Sequence, residues 1–190
     1  MRKVIYSMLV SLDGYIEAPG HDISWTNPDE ELHRHFNELE RETDTHLFGR
    51  RMYETMAAYW PTADRDTSIP DYVAEYARLW RDTEKVVFST TLERVEGNAR
   101  LVRENVAEEV AALKRQPGGD MDLGGAGIAA TFMQLDLIDE YRLYVHPVIL
   151  GGGAPMLPAV DHRFDLRLSE TRAFGSGVVM LRYERVRNAG

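Results

Sequence analysis

Three short stretches of this chain carry residues whose types and spacing suit phosphate chemistry. Asp122-Leu-Gly-Gly-Ala-Gly-Ile128 ends an apolar run in glycines just before a helical pattern. Phe48-Gly49-Arg50-Arg51 repeats that arrangement with two guanidinium groups, and Phe88-Ser89-Thr90-Thr91 ends a third apolar run in hydroxyls. Glycine at a strand end lets a ligand approach the backbone without meeting a Cβ. The next helix start then offers free N–H groups and the positive end of its dipole to an anion. A guanidinium fork donates two parallel hydrogen bonds to a phosphate monoester. Cations at a helix N-terminus oppose the dipole, so a local anion explains Arg50 and Arg51 better than solvation does. Each stretch also has a plain reading: a close-packed strand-to-helix turn, solvated charges, and ordinary turn or helix caps. Three such strand ends, at the edge where open α/β sheets bind ligands, say more together than singly.

Other chemistries are excluded. Gly125-x-Gly127-x-x-Ala130 fits the dinucleotide fingerprint G-x-G-x-x-A, but it comes late in the chain, with one helix and a few strands after it. Asp139 and Glu140 leave that helix rather than ending a second strand, so a Rossmann fold is rejected. Cysteine is absent, which removes disulfides, thiolate catalysis and cysteine-held zinc. His33 and His35 are two apart, on different helix sides, and His21, His46, His146 and His162 lack partners at ligand spacing, so no metal is expected. No G-x-S-x-G elbow occurs. A net charge of -9 argues against duplex nucleic acid or an anionic membrane as the main partner, while leaving room for a local basic pocket. Arg2 and Lys3 before the apolar run Val4–Leu12 imitate a signal peptide. Ser7 and Ser11 interrupt the run, however, Asp13-Gly14 ends it, and no small-x-small site follows. No stretch is long enough to span a bilayer, and a cytoplasmic location is expected.

The elements that must position these residues follow from periodicity. Strands are expected at Lys3–Val10, Thr45–Phe48, Lys85–Phe88 and Met121–Leu123, then in the β-rich run Tyr141–Leu150, and as a final pair at Leu166–Arg172 and Val178–Glu184. Helices are expected from Pro28-Asp29-Glu30 with the stripe Leu32, Phe36 and Leu39, then at Arg50–Ala58, Pro70–Trp80, Asn105–Lys114 with Asn105 as N-cap, and Ile128–Leu135. Strands alternate with helices and the end is antiparallel. The fold class is therefore α/β, with a mainly parallel sheet and an antiparallel C-terminal hairpin. At 190 residues and 44% hydrophobic content, one domain over residues 1–187 with a flexible tail at 188–190 is expected.

The order of these motifs resembles a known family. "SMLVSLDGYIEAPGHDISW" (Ser7–Trp25), "LFGRRMYE" (Leu47–Glu54), "VVFSTT" (Val86–Thr91), "DLGGAGIAATFMQLDLIDEYRL" (Asp122–Leu143) and "HPVILGGGAPML" (His146–Leu157) are similar to the dihydrofolate reductase superfamily. The branch they resemble is the riboflavin-biosynthesis reductase domain (RibD C-terminal-like) with its stand-alone bacterial relatives. The similarity runs in order from about Lys3 to Arg185.

What the resemblance implies is a three-layer dihydrofolate reductase-like fold and a reductase that uses NADPH. Gly49 and Arg50 would border the adenosine side, with Arg50 on the 2′-phosphate and Arg51 assisting. Ser89 and Thr90 would lie near that phosphate or the ribose, and Gly124, Gly125, Ala126, Gly127 and Ile128 would hold the pyrophosphate. A guanidinium in place of an acid agrees with NADP over NAD. The family places an acid after a loop tryptophan. Counting from Trp25 favours Glu30, whereas helical phase puts Asp29 on the stripe. Both also read as first-turn acids stabilising the helix dipole. Asp13 is a third catalytic candidate, which the family motif puts on the loop beside the nicotinamide end; it also reads as a turn residue. Trp25 would cover the substrate or else cap the core, and Gly152, in what resembles that branch's late glycine turn, would approach the nicotinamide or substrate or else form a bend. The implied reaction passes hydride to a carbonyl, imine or ring C=N of a small heterocycle, as in 5-amino-6-(5-phosphoribosylamino)uracil reductase. The alternatives are a dihydrofolate or pteridine reductase, or a nucleotide-binding protein without turnover. The zinc deaminase that often accompanies the riboflavin-pathway reductase needs cysteines this chain lacks. A homodimer is also implied, with Tyr141, Tyr144 and Leu150 available either to an interface or to the core.

Overall fold

The structure is a computed structural model that describes residues 1–187; the tail expected at 188–190 lies outside the described residues. In chain order the elements are β1 (Val4–Ser11), β2 (Tyr15–Glu17), α1 (Glu30–Glu42), β3 (Thr43–Gly49), α2 (Arg50–Tyr59), α3 (Asp71–Asp82), β4 (Glu84–Phe88) and β5 (Ala99–Val102). Then come α4 (Val106–Arg115), β6 (Asp120–Gly124), α5 (Ala126–Gln134), β7 (Glu140–His146), β8 (Ala154–Pro155), β9 (Leu166–Ala173) and β10 (Val179–Arg185). Eight strands form one mixed, mainly parallel sheet in the order β5-β4-β3-β6-β1-β7-β10-β9, and β2 pairs with β8 separately. The α/β class, the parallel majority and the antiparallel hairpin at the end are as expected.

The chain divides into two compact units. The first comprises Met1–Arg2 and Pro28–Leu123. In it β3 and β4 run parallel with Gly49 opposite Phe88, and β4 runs parallel to β5. Parallel strands covered on both faces read as unbroken apolar runs. Leu47, Phe48, Val86 and Val87 accordingly lie fully buried. Helix α1 packs on α3 through polar contacts. Arg34 donates to Asp71, and Asn37 Nδ2 donates to the Tyr72 carbonyl and to Glu75. α1 buries His33, His35, Asn37 and Glu40 as well as Leu32, so its inner face is more polar than an apolar stripe announces. His33 is a core ring set against Trp60, Tyr72 and Tyr76.

Two charged groups of this unit are buried with partners. Burial pushes the His46 imidazole down, but Glu40 and Asp122 outweigh it and raise its pKa to about 9. His46 Nε2 lies 2.6 Å from Glu40 Oε1, and the ring stacks on Phe48. Lys85 Nζ reaches the end of α3, donating to the carbonyls of Trp80, of Thr83 at 2.7 Å and of Arg81 at 3.3 Å. Burial pulls the Lys85 pKa down to about 8. Asn105 does precede α4, but its backbone is left-handed (φ 60°) and its side chain makes no capping bond. It serves α4 through its conformation, which asparagine tolerates better than most residues.

The second unit comprises Lys3–Asn27 and the chain from Gly124 onward. β1 and β7 pair in parallel, from Ile5 opposite Glu140 to Ser11 opposite His146. β7 and β9 flank β10 antiparallel, with a register shift between Arg182 and Tyr183. β7 ends at His146, so the expected strand character does not reach Leu150. Tyr141 and Tyr144 are core residues, 2% and 1% exposed, which removes them as an interface surface. The fully buried Glu140 is held by Arg142 at 2.7 Å, Arg182 at 2.8 Å and Lys3 at 3.4 Å. Its burial is outweighed by the two arginines, which keep the carboxyl below its ordinary range.

Candidate functional site

In the first unit the ends of β3 and β4 bring phosphate chemistry together. Gly49 caps α2 with backbone alone, and no acid lies in the first turn of α2. Arg50 follows at once. Its Nε donates to Glu54 at 3.0 Å and its Nη1 to Thr91 Oγ1 at 3.1 Å. Ser89 Oγ accepts from the Thr91 and Leu92 amides and lies 3.4 Å from Thr91 Oγ1. Arg50, Ser89 and Thr91 are therefore one cluster. The hydroxyl that reaches Arg50 belongs to Thr91, which sequence reasoning passed over in favour of its neighbour Thr90. The signal for it was the run of three hydroxyls. Arg51 is an exposed position on α2.

The two first-helix acids both serve their own helix. Asp29 is the N-cap of α1, and its Oδ1 accepts from the Leu32 amide at 3.0 Å. The exposed Glu30 accepts from Arg34 Nε at 2.9 Å, one turn on. This is the ordinary work of acids at a helix start.

In the second unit Gly124 closes β6 and Gly125 opens α5. Gly125 has φ 102°, a conformation that side-chain-bearing residues rarely adopt, and its amide faces the Met8 sulfur at 3.4 Å. α5 has no side-chain cap and no acid in its first turn. The amides of Ala126, Gly127 and Ile128 are thus first-turn donors without intrahelical acceptors. A Cβ built on Gly127 would meet nothing within 4 Å, so packing does not require glycine there.

Farther round this unit, the half-buried Trp25 ring stands edge-on to His146 at 5.4 Å. Neither Trp25 Nε1 nor His146 Nε2 has a hydrogen-bond partner, although both atoms are buried. Burial lowers the His146 pKa, which favours the neutral imidazole. His146 was discounted in the sequence as a lone histidine. Its place at the C-terminal end of a parallel strand was the available signal. Asp13 sits on the turn after β1, where Oδ1 accepts from Ser11 Oγ at 2.7 Å and from Leu150 N at 3.1 Å, and Oδ2 accepts from Gly151 N at 2.7 Å. The Ser11 bond, helped by the two amides, holds the Asp13 carboxyl below its usual range. Gly152 lies in the glycine run that Asp13 grips.

Comparison with known proteins gives the same fold. A dihydrofolate reductase from Enterococcus faecalis, solved in complex with NADP(H), superposes with a TM-score of 0.63 at 13% identity, over 96% of each chain. A putative riboflavin biosynthesis protein from Shewanella sp. PV-4 superposes with a TM-score of 0.78 at 21% identity, over 98% of this chain and 100% of that one. The uncharacterized protein YyaP of Bacillus subtilis (strain 168) is 37% identical over 183 residues, or 96% of this chain and 94% of the relative. The family described as RibD C-terminal domain matches residues 2–180. A match of that extent, joined to a relative of that identity along nearly the whole chain, makes this protein a member of the RibD C-terminal domain family.

Proposed function

We propose that the chain is an NADPH-dependent reductase that passes hydride to a carbonyl, imine or ring C=N of a small heterocycle, similar to 5-amino-6-(5-phosphoribosylamino)uracil reductase. One observation carries the cofactor reading. α1, α3 and α4 start with acids, Glu30 and Glu31, Asp71, and Glu108 and Glu109. α2 and α5, which follow glycine-ended strands, have neither an acid nor a side-chain cap. Acids stabilise a helix start, so leaving two starts bare forgoes about 0.3–1 kcal/mol at each and keeps the amides open to an anion. Each unit offers an anion site: in the first, Arg50 with Thr91 beside it suits a phosphate monoester such as a 2′-phosphate, and in the second the bare amides of Ala126, Gly127 and Ile128 suit a pyrophosphate. When bound, NADPH supplies the hydride, and the protein's task is to orient it.

The Arg50 contacts in hand do not oppose this role. Its pair with Glu54 is exposed on both sides, and such helix pairs contribute only about 0.3–0.5 kcal/mol. A charge-assisted bond to phosphate is worth about 1.5–3 kcal/mol. Titration calorimetry with NADPH and NADH tests the reading. NADPH should bind more tightly, and Arg50→Ala should weaken NADPH by about 10–150-fold while leaving NADH unchanged. Tighter NADH binding, or an Arg50→Ala protein that holds NADPH as before, refutes it.

A second reading, a nucleotide-binding protein without turnover, has a specific observation in its favour. Asp13, Asp29 and Glu30 are all engaged by donors of their own unit. Reduction of a pteridine or pyrimidinone at the expense of NADPH, followed at the nicotinamide absorbance, separates the two.

A further inference from the structure

His146 closes β7 and is only 6% exposed, yet its Nε2 has no hydrogen-bond partner. The indole of Trp25 meets it edge-on, with the ring planes 86° apart, and Trp25 Nε1 is a second buried nitrogen without a partner. Each such orphan destabilises a fold, because it has given up water and gained nothing in return. The neighbouring groups do not relieve them. Ser11, opposite His146 in register, gives its hydroxyl to Asp13 and accepts from Tyr15 N. Among the described residues no group of three or more histidine, aspartate or glutamate side chains could hold a metal ion, so metal ligation does not account for the imidazole. Phenylalanine would fill the same ring space with no nitrogen to leave unbonded. Two orphans in touching rings therefore mark a place kept for the polar atoms of a ligand.

The chemistry of the two nitrogens narrows that ligand. An indole N–H only donates. Burial favours the neutral imidazole, which accepts at Nε2 when its proton is on Nδ1. A neutral imidazole is a poor proton source, so this ring suits binding better than acid catalysis. A donor and an acceptor side by side complement a lactam, whose carbonyl accepts and whose adjacent ring N–H donates. A ketone, an ester or an N-alkylated ring lacks the second half. We propose that His146 Nε2 and Trp25 Nε1 together bind the lactam edge of the heterocycle, His146 accepting from the ring N–H and Trp25 donating to the carbonyl. The inference rests on the reductase reading above and deepens it: the substrate ring carries an N–H beside a carbonyl, and His146 sets that specificity. Access to the two nitrogens is local. Trp25 is carried by the turn Ser24–Thr26, which buries none of its residues and is tied to Asp22 and Ile23 of the same loop. The indole can tilt off the imidazole without disturbing β1 or β7.

Calorimetric titration of the intact protein with lumazine and with 1,3-dimethyllumazine tests the pair. The two pteridinediones share their carbonyls, but only lumazine has ring N–H groups. Lumazine should bind about tenfold more tightly. His146→Phe should melt no lower than the parent, bind NADPH as the parent does, and lose the preference by weakening lumazine. Trp25→Phe should weaken both ligands about fivefold and keep the preference. A parent with no affinity for lumazine, or none beyond that for the dimethyl compound, overturns the proposal. So does a preference that survives in His146→Phe, or a Trp25→Phe protein that binds both ligands as the parent does. If either variant fails to fold, nitrogen-15 NMR of the parent decides. His146 Nε2 should carry no proton, and the Trp25 indole N–H resonance should shift with lumazine; a protonated Nε2 or an unmoved indole resonance overturns the assignment. A parent that shows the lumazine preference but does not bind NADPH refutes the cofactor reading and leaves the lactam site standing. One that binds NADPH without the preference refutes the lactam site alone.

Discussion

The pairing of His46 with Glu40 makes the stability of the first unit depend on alkaline pH. His46 is 2% exposed and Glu40 6%, so solvent screens little of their interaction. The imidazole rises from an ordinary 6.5 to about 9, the cost of burial being outweighed by Glu40 and Asp122. The rise corresponds to roughly 3 kcal/mol. Because the folded value is the higher one, this stability is complete below pH 6.5 and is lost as pH climbs through about 9. Urea unfolding at pH 6, 7 and 8 reads it directly: the midpoint should fall toward pH 8 at constant slope, below the range where Lys85, lowered to about 8, adds stability as pH rises further. His46→Gln keeps a hydrogen-bond donor near Glu40 but not the charge. It should be less stable than the parent at pH 6, by about 2–4 kcal/mol, with much of the alkaline dependence removed. A parent midpoint that does not move between pH 6 and 8, or a His46→Gln protein that moves as steeply, refutes the argument.

Three further outcomes are expected. Glu140→Gln leaves the partners Arg142, Arg182 and Lys3 without their buried anion, and should destabilise by about 3–5 kcal/mol in urea. In the parent that contribution is present above the ordinary carboxylate range and fades as acid reaches the lowered Glu140 value. Tyr6→Phe removes the hydroxyl that donates to the Met156 carbonyl at 2.8 Å, both groups being buried; a loss of about 1–3 kcal/mol should appear in thermal unfolding. The chain is proposed to form a homodimer, and light scattering that returns only the monomer mass refutes that.

Long apolar runs were legible because burial on both faces of a parallel strand leaves no polar alternation to misread. Val86–Phe88 and Leu47–Phe48 fall within β4 and β3. Helix starts were legible through their acids, as at Asp29 and Glu30, whereas Asn105, expected as an N-cap, makes no capping bond. β5 was not. Its four residues, Ala99–Val102, are only half-buried and sit among Asn98, Arg103 and Glu104, which mask the pattern. β2 and β8, with three and two residues, are too short to show a period. In the site, the glycine–arginine and glycine-loop ends were readable because strand-to-helix turns are local. The Asp13 grip on Leu150 and Gly151 was not, since the partners lie 137 and 138 residues away and nothing in the neighbourhood of Asp13 foretells them. Among the described residues no helix is long and apolar enough to cross a membrane.

The second unit is assembled from the two ends of the chain, and this orders events during synthesis. Residues 28–123 leave the ribosome as one continuous piece, so the first unit can begin to collapse on the growing chain. β1 emerges before all of it, yet its partner strand begins with Glu140 opposite Ile5. At about 5–20 residues per second, that apolar ribbon waits roughly 6–23 s for β6, the first of its sheet neighbours to emerge, and roughly 7–27 s for β7. Throughout that interval Val4–Ser11 is a sticky leader on the nascent polypeptide, the segment a ribosome-associated chaperone would have most reason to shield.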